Sequence, residues 1–309
     1  MQLFLWQYGL EGGMGMYLPK VQIIIPVYNA GPYLKRCLDS VRAQTFAGWQ
    51  AILVDDASTD GSWAAVCEAA SADSRFVCIR QAKNQGAAAA RNRALQRLCS
   101  EYTAFLDADD YWEPDMLAVL LEKAETYHCD VVQCRFLYDF AGGKQALPRG
   151  AFPADKELFG ESLRAVYLKM ITGISMNHVC MKLIRTQCME GLVFDQALKT
   201  AEDLQFCIAL FQRVERYYFV DMALYHYCRN AQSLTGKGLP LREKFRANAC
   251  ISKTLVRTLP AWGMDTMYYR ALAYLRPCIL VVLKILRMAQ ERIFKGMAGQ
   301  KGRGEKHAG

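Results

Sequence analysis

An open, mainly parallel, twisted sheet with helices on both faces, Rossmann-like and followed by a helical C-terminal extension, is the α/β fold class that the sequence predicts. Three observations predict it. Short β-branched or apolar runs alternate with segments of helical periodicity from Val21 to Leu106, the pattern of strand–helix–strand units. Each run stops at a loop of Pro, Asn, Asp or Gly, residues that favour turns and helix caps. Beyond about Arg229 the chain has no further strand-like run and reads as mostly helical.

The elements follow in order. Val21 to Val27 is a buried parallel strand stopped at a loop, and the next helix places Leu34, Leu38 and Val41 on its dry side against Lys35, Arg36 and Arg42. Gln50 to Val54 is the second strand. It ends at Asp55-Asp-Ala-Ser-Thr-Asp-Gly61, a capping loop before a helix over Ser62 to Ala70. A strand at Phe76–Arg80, a loop at Lys83–Gly86, a helix at Ala87–Leu98 and a strand at Thr103–Leu106 complete the alternation. A helix follows with Pro114 in its first turn and runs to His128. The spacing then predicts a strand at Val131–Leu137, a helix near Glu157–Met170, a helix opened by Ala201-Glu-Asp203, a strand at Tyr217–Val220 and a second extended piece at Tyr225–Arg229. Met264 to Met297 reads as a helix interrupted at Pro277.

Bulk properties narrow the function classes. With 309 residues, 52% hydrophobic and 22% charged, the chain suits one sizeable folded domain with an appendage. Its twelve cysteines form no Cys-x-x-Cys pair, and Cys78, Cys134 and Cys207 sit in apolar runs, as reduced core residues of a cytosolic protein would. The four histidines, at 128, 178, 226 and 307, have the wrong spacing for structural zinc. Met1 to Leu10 is apolar but lacks the basic start and cleavage site of a signal peptide, and residues 1–18 are read as an extension outside the fold. No stretch reaches the ~18 uncharged apolar residues of a membrane span. No glycine-rich dinucleotide fingerprint or phosphate-binding Gly-x-x-x-x-Gly-Lys loop occurs, which argues against nicotinamide cofactors and ATP hydrolysis.

In sheets of this kind ligands bind beyond the carboxyl ends of the strands. Those ends carry Pro26-Val-Tyr-Asn29, Asp55-Asp56 and Asp107-Ala-Asp109. Alternate residues of an extended segment point the same way, so Asp107 and Asp109 converge while Ala108 faces the other side. A hard divalent ion, Mg²⁺ or Mn²⁺, shares one or two carboxylates with a diphosphate. An isolated Asp-x-Asp can equally be an acidic helix cap. The company of Asp55-Asp56 and Glu202-Asp203 on the same side favours a cation, because uncompensated like charges repel.

Pro26-Val-Tyr-Asn29, Val54-Asp-Asp-Ala-Ser-Thr-Asp-Gly61, Asn84-Gln-Gly86 with Ala90-Arg-Asn92, Phe105-Leu-Asp-Ala-Asp-Asp110 and Glu202-Asp203 together resemble the family 2 inverting glycosyltransferases of the A-type nucleotide-sugar fold. The likeness is in order from Val21 to Phe136 and thinner to Thr235. It implies that Pro26, Tyr28 and Asp56 hold the base and ribose, with Tyr28 stacking and the Asp56 carboxylate meeting a base N–H. Asp55 holds the loop or shares that task. It places Asp107 near ribose and diphosphate, Asp109 on the metal, and Asn84 and Arg91 on the donor side; Arg91 reads equally as the partner of a sheet-end carboxylate. It makes Asp203 the general base of a single displacement with inversion, although Glu202-Asp203 alone reads as charge favoured in a first helical turn. Lys182, Arg229 and Ser233 fall where phosphate contacts gather. His226 is a metal or acceptor ligand or a packed ring, and Trp112 an acceptor floor or a core aromatic.

The resemblance divides the chain into an extension at 1–18, a glycosyltransferase domain at 19–240 (a nucleotide-sugar half to 136, an acceptor half from 137), a helical region at 241–298 and a disordered basic tail at 299–309. It implies a cytoplasmic enzyme moving one sugar from a nucleotide-sugar, in particular a UDP-sugar, to a glycan or lipid-linked acceptor in cell-surface polysaccharide synthesis. Processive relatives add membrane spans and a Gln-x-x-Arg-Trp motif, so single addition is expected. From Arg242 onward fourteen Lys or Arg face four Asp or Glu, although the whole chain carries only +8. This basic, apolar-centred helix suits the inner face of an anionic membrane; packing on the domain or in a homodimer is the plain reading, and nucleic acid is not expected. A sugar nucleotidyltransferase and a non-catalytic membrane-surface nucleotide-sugar-binding protein are the alternatives.

Overall fold

The computed structural model describes residues 18–173, 176–229 and 241–279. β1 (Val21–Val27) is central because its residues are apolar on both faces, and it pairs in parallel with β2 (Trp49–Asp55) and β4 (Tyr102–Phe105). Its one polar inward residue, Gln22, is satisfied: Nε2 donates to Gln50 and Oε1 accepts the Cys99 and Ser100 N–H groups. β3 (Phe76–Arg80) extends the parallel set beyond β2. Helices α1 (Pro32–Arg42), α2 (Ser62–Ala72) and α3 (Ala87–Leu95) connect these strands.

The sheet continues past β4 as a mixed one, in the order β3-β2-β1-β4 and then Lys182–Arg185 (β9), Val131–Phe140 (β6), Arg216–Arg229 (β10) and Tyr111–Trp112 (β5). β5 is Tyr111–Trp112, α4 Met116–Thr126, β6 Val131–Phe140, β7 Gln145–Ala146 and β8 Lys156–Phe159. After them come α5 (Arg164–Thr172), β9 (Lys182–Arg185), α6 (Glu202–Leu210), β10 (Arg216–Arg229) and α7 (Leu241–Thr258). β9 runs antiparallel to both β4 and β6, so β6 and its parallel neighbour β10 point the same way as β4. Phe136 lies within β6, so the two halves expected on either side of it share one sheet.

Three elements depart from the predicted order. Lys156–Phe159 is a strand, not the start of a helix, because it pairs with the amino end of β10. The two extended pieces near Tyr217 and Tyr225 are one strand of fourteen residues, interrupted by a bulged stretch between Phe219 and Tyr225. Pro277 falls inside α8, which covers 267–279 among the described residues, so the expected interruption is not found there. Residues 280–309, on which the rest of the expected helix and the basic tail fall, lie outside the described residues.

The C-terminal helices pack on the domain. α7 lies against α6, Trp262 stacks on Tyr167 at 4.5 Å with rings 2° from parallel, and buried Arg276 donates to the Met170 carbonyl and to Asn248. The opposite side of α8 presents Met267, Tyr268, Tyr274 and Leu275 to solvent. All twelve cysteines are free thiols, with Cys134 and Cys207 buried and Cys78 partly so. Among the described residues no helix is long and apolar enough to cross a membrane.

Candidate functional site

The loops after β1 and β2 are stitched to each other. The Asn29 and Gly31 N–H groups donate to Ser58 Oγ (3.1 Å) and Asp60 Oδ2 (3.1 Å), and the Thr59 N–H donates to Asn29 Oδ1 (2.8 Å). Asn29 and Ala57 both adopt positive φ to make these turns. The stitching leaves the Tyr28 ring outward, 49% exposed, with Pro26 half-buried at the strand end. Tyr28 is therefore open to solvent at the carboxyl end of β1.

Asp55 and Asp56 are buried, and both hold loops. Asp55 accepts the Ser58 N–H (3.2 Å) and pairs with Arg80 (3.3 Å) through Oδ2, while its buried Oδ1 has no hydrogen-bond partner. Asp56 accepts from Gln81 Nε2 (2.7 Å) and from the N–H groups of Gln85 (2.9 Å) and Gly86 (2.7 Å). Gly86, at φ 90, has the left-handed backbone that brings its N–H to that carboxylate. Of the roughly four lone-pair sites of a carboxylate, three on Asp56 are engaged and one remains for an outside donor. The loop so held carries Asn84 at the surface.

The acidic turn after β4 is organised around Arg91. This side chain is almost wholly buried, and its fork donates to Asp107 Oδ1 (2.8 Å), Asp203 Oδ1 (2.8 Å) and Glu202 Oε1 (3.3 Å). Burial works against the guanidinium charge, but the carboxylates of Asp203 and Asp107 outweigh it and hold the charge firmly. The like-charge conflict that the sequence resolves with a metal ion is thus resolved, for three of the carboxylates, by a side chain. Of the two readings open for Arg91, the structure shows the carboxylate partner.

Asn92, next to it, accounts for how residues 111 and 112 positions away reach Arg91. Asn92 Nδ2 donates to the Phe194 carbonyl (2.8 Å) and its Oδ1 accepts the Phe194 N–H (2.7 Å), tying the segment before α6 onto α3. Phe194 then stacks on Phe206 at 4.1 Å. Ala201, at φ 67, caps α6 in a left-handed conformation and swings Glu202 and Asp203 into the first turn, where the helix favours negative charge. Burial, then the Asp203 charge, raises the Glu202 carboxyl above its usual range, and Arg91 opposes this.

Asp110 closes the turn from behind. It accepts the Tyr225 hydroxyl (2.5 Å) and the Cys228 N–H (2.8 Å), joining the turn to β10. Burial first, then the charges of Asp109 and Asp107, push its carboxyl well above the usual range. His178, part-buried, has Asp203, Lys182, Asp107 and Arg91 as charged neighbours, and burial lowers its affinity for a proton. Sequence reasoning passed over it, and no local pattern marks it.

Other expected residues fall elsewhere. Trp112 is buried, which makes it a core aromatic and removes it as an acceptor floor. Lys182 is fully buried and donates to the carbonyls of Met176 and His178, so it faces no phosphate from there. His226 is a packed ring: it stacks on Tyr111 at 4.1 Å and bonds Glu113 (2.8 Å) and Asp139 (3.2 Å). Arg229 is at the surface over Tyr138. Ser233 lies outside the described residues.

The donor set fits a hard divalent ion. Asp107, a third exposed, and Asp109, half-buried, offer carboxylates with one residue between them. Among the described residues no three His, Cys, Asp or Glu side chains are grouped as a complete metal site, so phosphates would complete the coordination.

Comparison with known proteins bears on the family and the fold. The family described as Glycosyl transferase family 2 matches residues 22–190. The uncharacterized glycosyltransferase EpsJ of Bacillus subtilis is 32% identical over 220 residues, 71% of this chain and 63% of its own length. The Escherichia coli protein described as UDP-Glc:alpha-D-GlcNAc-diphosphoundecaprenol beta-1,3-glucosyltransferase WfaP is 38% identical over 106 residues, 34% of this chain and 41% of its own. The match thus spans less than two thirds of either relative. A crystal structure of Staphylococcus aureus TarS with UDP-GlcNAc shares the fold at a TM-score of 0.64 and 23% identity, covering 76% of this chain and 66% of that one.

Proposed function

The chain belongs to glycosyl transferase family 2, and from that premise we propose that it is a metal-dependent, inverting, non-processive transferase. It moves one sugar from a UDP-sugar to a glycan or lipid-linked acceptor. The observation that carries this reading is the convergence, on one buried guanidinium, of Asp107 from the end of β4 with Glu202 and Asp203 from the start of α6. The UDP donor is supported by the UDP-GlcNAc held by TarS and by the UDP-Glc in the description of WfaP. The lipid-linked acceptor is supported by the diphosphoundecaprenol in that same description.

Tyr28, Asp56 and the loop at Asn84 hold the nucleotide, and Asp107 with Asp109 would hold Mn²⁺ or Mg²⁺. When bound, that ion neutralises charge on the leaving diphosphate. Arg91 fixes Asp203 through Oδ1, which turns the role of base over to Oδ2. The acceptor hydroxyl gives its proton to that oxygen as its own oxygen bonds to the anomeric carbon from the face opposite the leaving group. The bond from that carbon to the diphosphate breaks, and the configuration inverts.

The test is release of UDP from UDP-glucose and UDP-GlcNAc, with and without acceptor and Mn²⁺. Asp109→Asn and Asp203→Asn are each expected to lower transfer by about 10²–10⁴-fold. Full transfer by both variants would overturn the mechanism. Pyrophosphate release from UTP and a sugar phosphate would instead identify a nucleotidyltransferase, and nucleotide-sugar binding without turnover a binding protein.

The same reading puts the enzyme in the cytoplasm at the inner membrane face. Its support is the exposed stripe of Met267, Tyr268, Tyr274 and Leu275, with interfacial tyrosines among apolar residues. Co-sedimentation with phosphatidylglycerol vesicles, abolished by Met267→Glu with Leu275→Glu, is the expected result; equal sedimentation of the variant refutes it.

A further inference from the structure

Beyond the acidic turn, β6 and β10 run side by side and carry a row of aromatic side chains that the reaction above does not use. Phe136 pairs with Tyr225, Tyr138 with Tyr227 and Phe140 with Arg229. Alternate residues of a strand share a face, so these side chains form one surface. The bulged stretch before Tyr225 sets that phase. Tyr138 lies edge-on to Phe136 at 4.9 Å and to Tyr227 at 5.7 Å. The Arg229 guanidinium sits 4.9 Å from the Tyr138 ring centre and 5.8 Å from that of Phe140. Phe136, Tyr138 and Tyr227 are half-buried, and Phe140 is 37% exposed.

The place of the row gives it meaning. β6 and β10 point the same way as β4, so the row emerges at the edge that carries Asp107 and Asp109. Its inner end begins against the acidic turn, where buried Tyr225 donates to Asp110. At about 3.3 Å per residue, Tyr227 stands roughly 7 Å and Arg229 roughly 13 Å farther out along the strand. Cross-strand aromatic pairs also stabilise sheets without any ligand. That role does not account for a cation at the outer end that, among the described residues, has no ion pair and only ring contacts.

We propose that Phe136, Tyr138, Phe140 and Tyr227 form the acceptor subsite, a stacking floor for a pyranose ring, and that Arg229 meets a negative group joined to that ring. The ligand class is a sugar linked to a phosphate or diphosphate. This assignment rests on the glycosyltransferase reading. Aromatic faces attract the apolar C–H face of a sugar while its hydroxyls stay in water, and a guanidinium at the end of the floor pairs with phosphate oxygens.

Calorimetry with UDP and Mn²⁺ present tests it with three probes: undecyl diphosphate carrying α-linked GlcNAc, octyl α-GlcNAc, and undecyl diphosphate alone. Tyr138→Ala and Tyr227→Ala should each weaken both sugar-bearing probes by about tenfold, the scale of one lost aromatic contact. Arg229→Ala should bring the GlcNAc diphosphate down to the affinity of the neutral glycoside. The floor is disproved if the alanine variants bind like wild type or if the wild type binds neither sugar-bearing probe. Hydrolysis of UDP-sugar by the wild type reports separately on the reading beneath it: hydrolysis with unaltered probe affinities sinks the floor alone, and its complete absence sinks both.

Discussion

The two acidic strand ends on either side of β1 hold the same residue type in different ways. Asp55 and Asp56 are buried and spend their oxygens on backbone N–H groups, Gln81 and Arg80. Asp107 and Asp109 remain partly exposed, and Asp107 shares one cationic fork with Glu202 and Asp203. A carboxylate held by backbone donors shapes a loop, because those donors cannot leave. One held by a shared guanidinium keeps charge and oxygens available to a ligand.

The comparison breaks most readily at Arg91. Arg91→Met leaves three carboxylates without their buried partner and should cost about 3–5 kcal/mol of unfolding free energy. Denaturant titration measures it. Arg91→Lys should recover little, since one ammonium cannot span three acceptors; a loss below about 1 kcal/mol, the range of surface pairs, would show that the fork is dispensable. Asp56→Asn is expected to cost less, about 1–3 kcal/mol, because one of three donors loses its acceptor or meets an amide N–H. Faster hydrogen exchange at the Gln85 and Gly86 amides, with no change at α6, would sharpen the contrast between the two ends; unchanged exchange there would contradict it. Tyr28→Ala should do least: a loss of about 0.5–1.5 kcal/mol in UDP binding by calorimetry, with the melting temperature unmoved because the ring is exposed.

Much of this was legible before the structure. β1 to β4 and the intervening helices stand within a few residues of their predicted places, because each buried strand is a continuous apolar run and each helix has one dry stripe. Lys156–Phe159 was not, because a distant edge, the start of β10, overrode local helical spacing. β10 looked like two pieces because its bulge breaks the alternation that marks a strand, and β5, at two residues, has no period to read. At the site the acidic residues, and their place on one side of the sheet, were legible. That one guanidinium joins Asp107 to Glu202 and Asp203 was not, since Arg91 meets Asp203 only through the Asn92 clasp on Phe194 and the left-handed turn at Ala201.

The unbroken sheet also limits how the molecule can move. With Phe136 in mid-strand and β10 bonded along β6, a hinge between donor and acceptor sides would have to rupture a ladder of backbone hydrogen bonds. Each would cost roughly 0.5–1.5 kcal/mol to give up. Movement is therefore left to the loops at the carboxyl edge, while the distance between the end of β1 and Asp203 is set by a rigid frame. Turnover should depend on loop rearrangement and product escape, not on the opening and closing of two lobes.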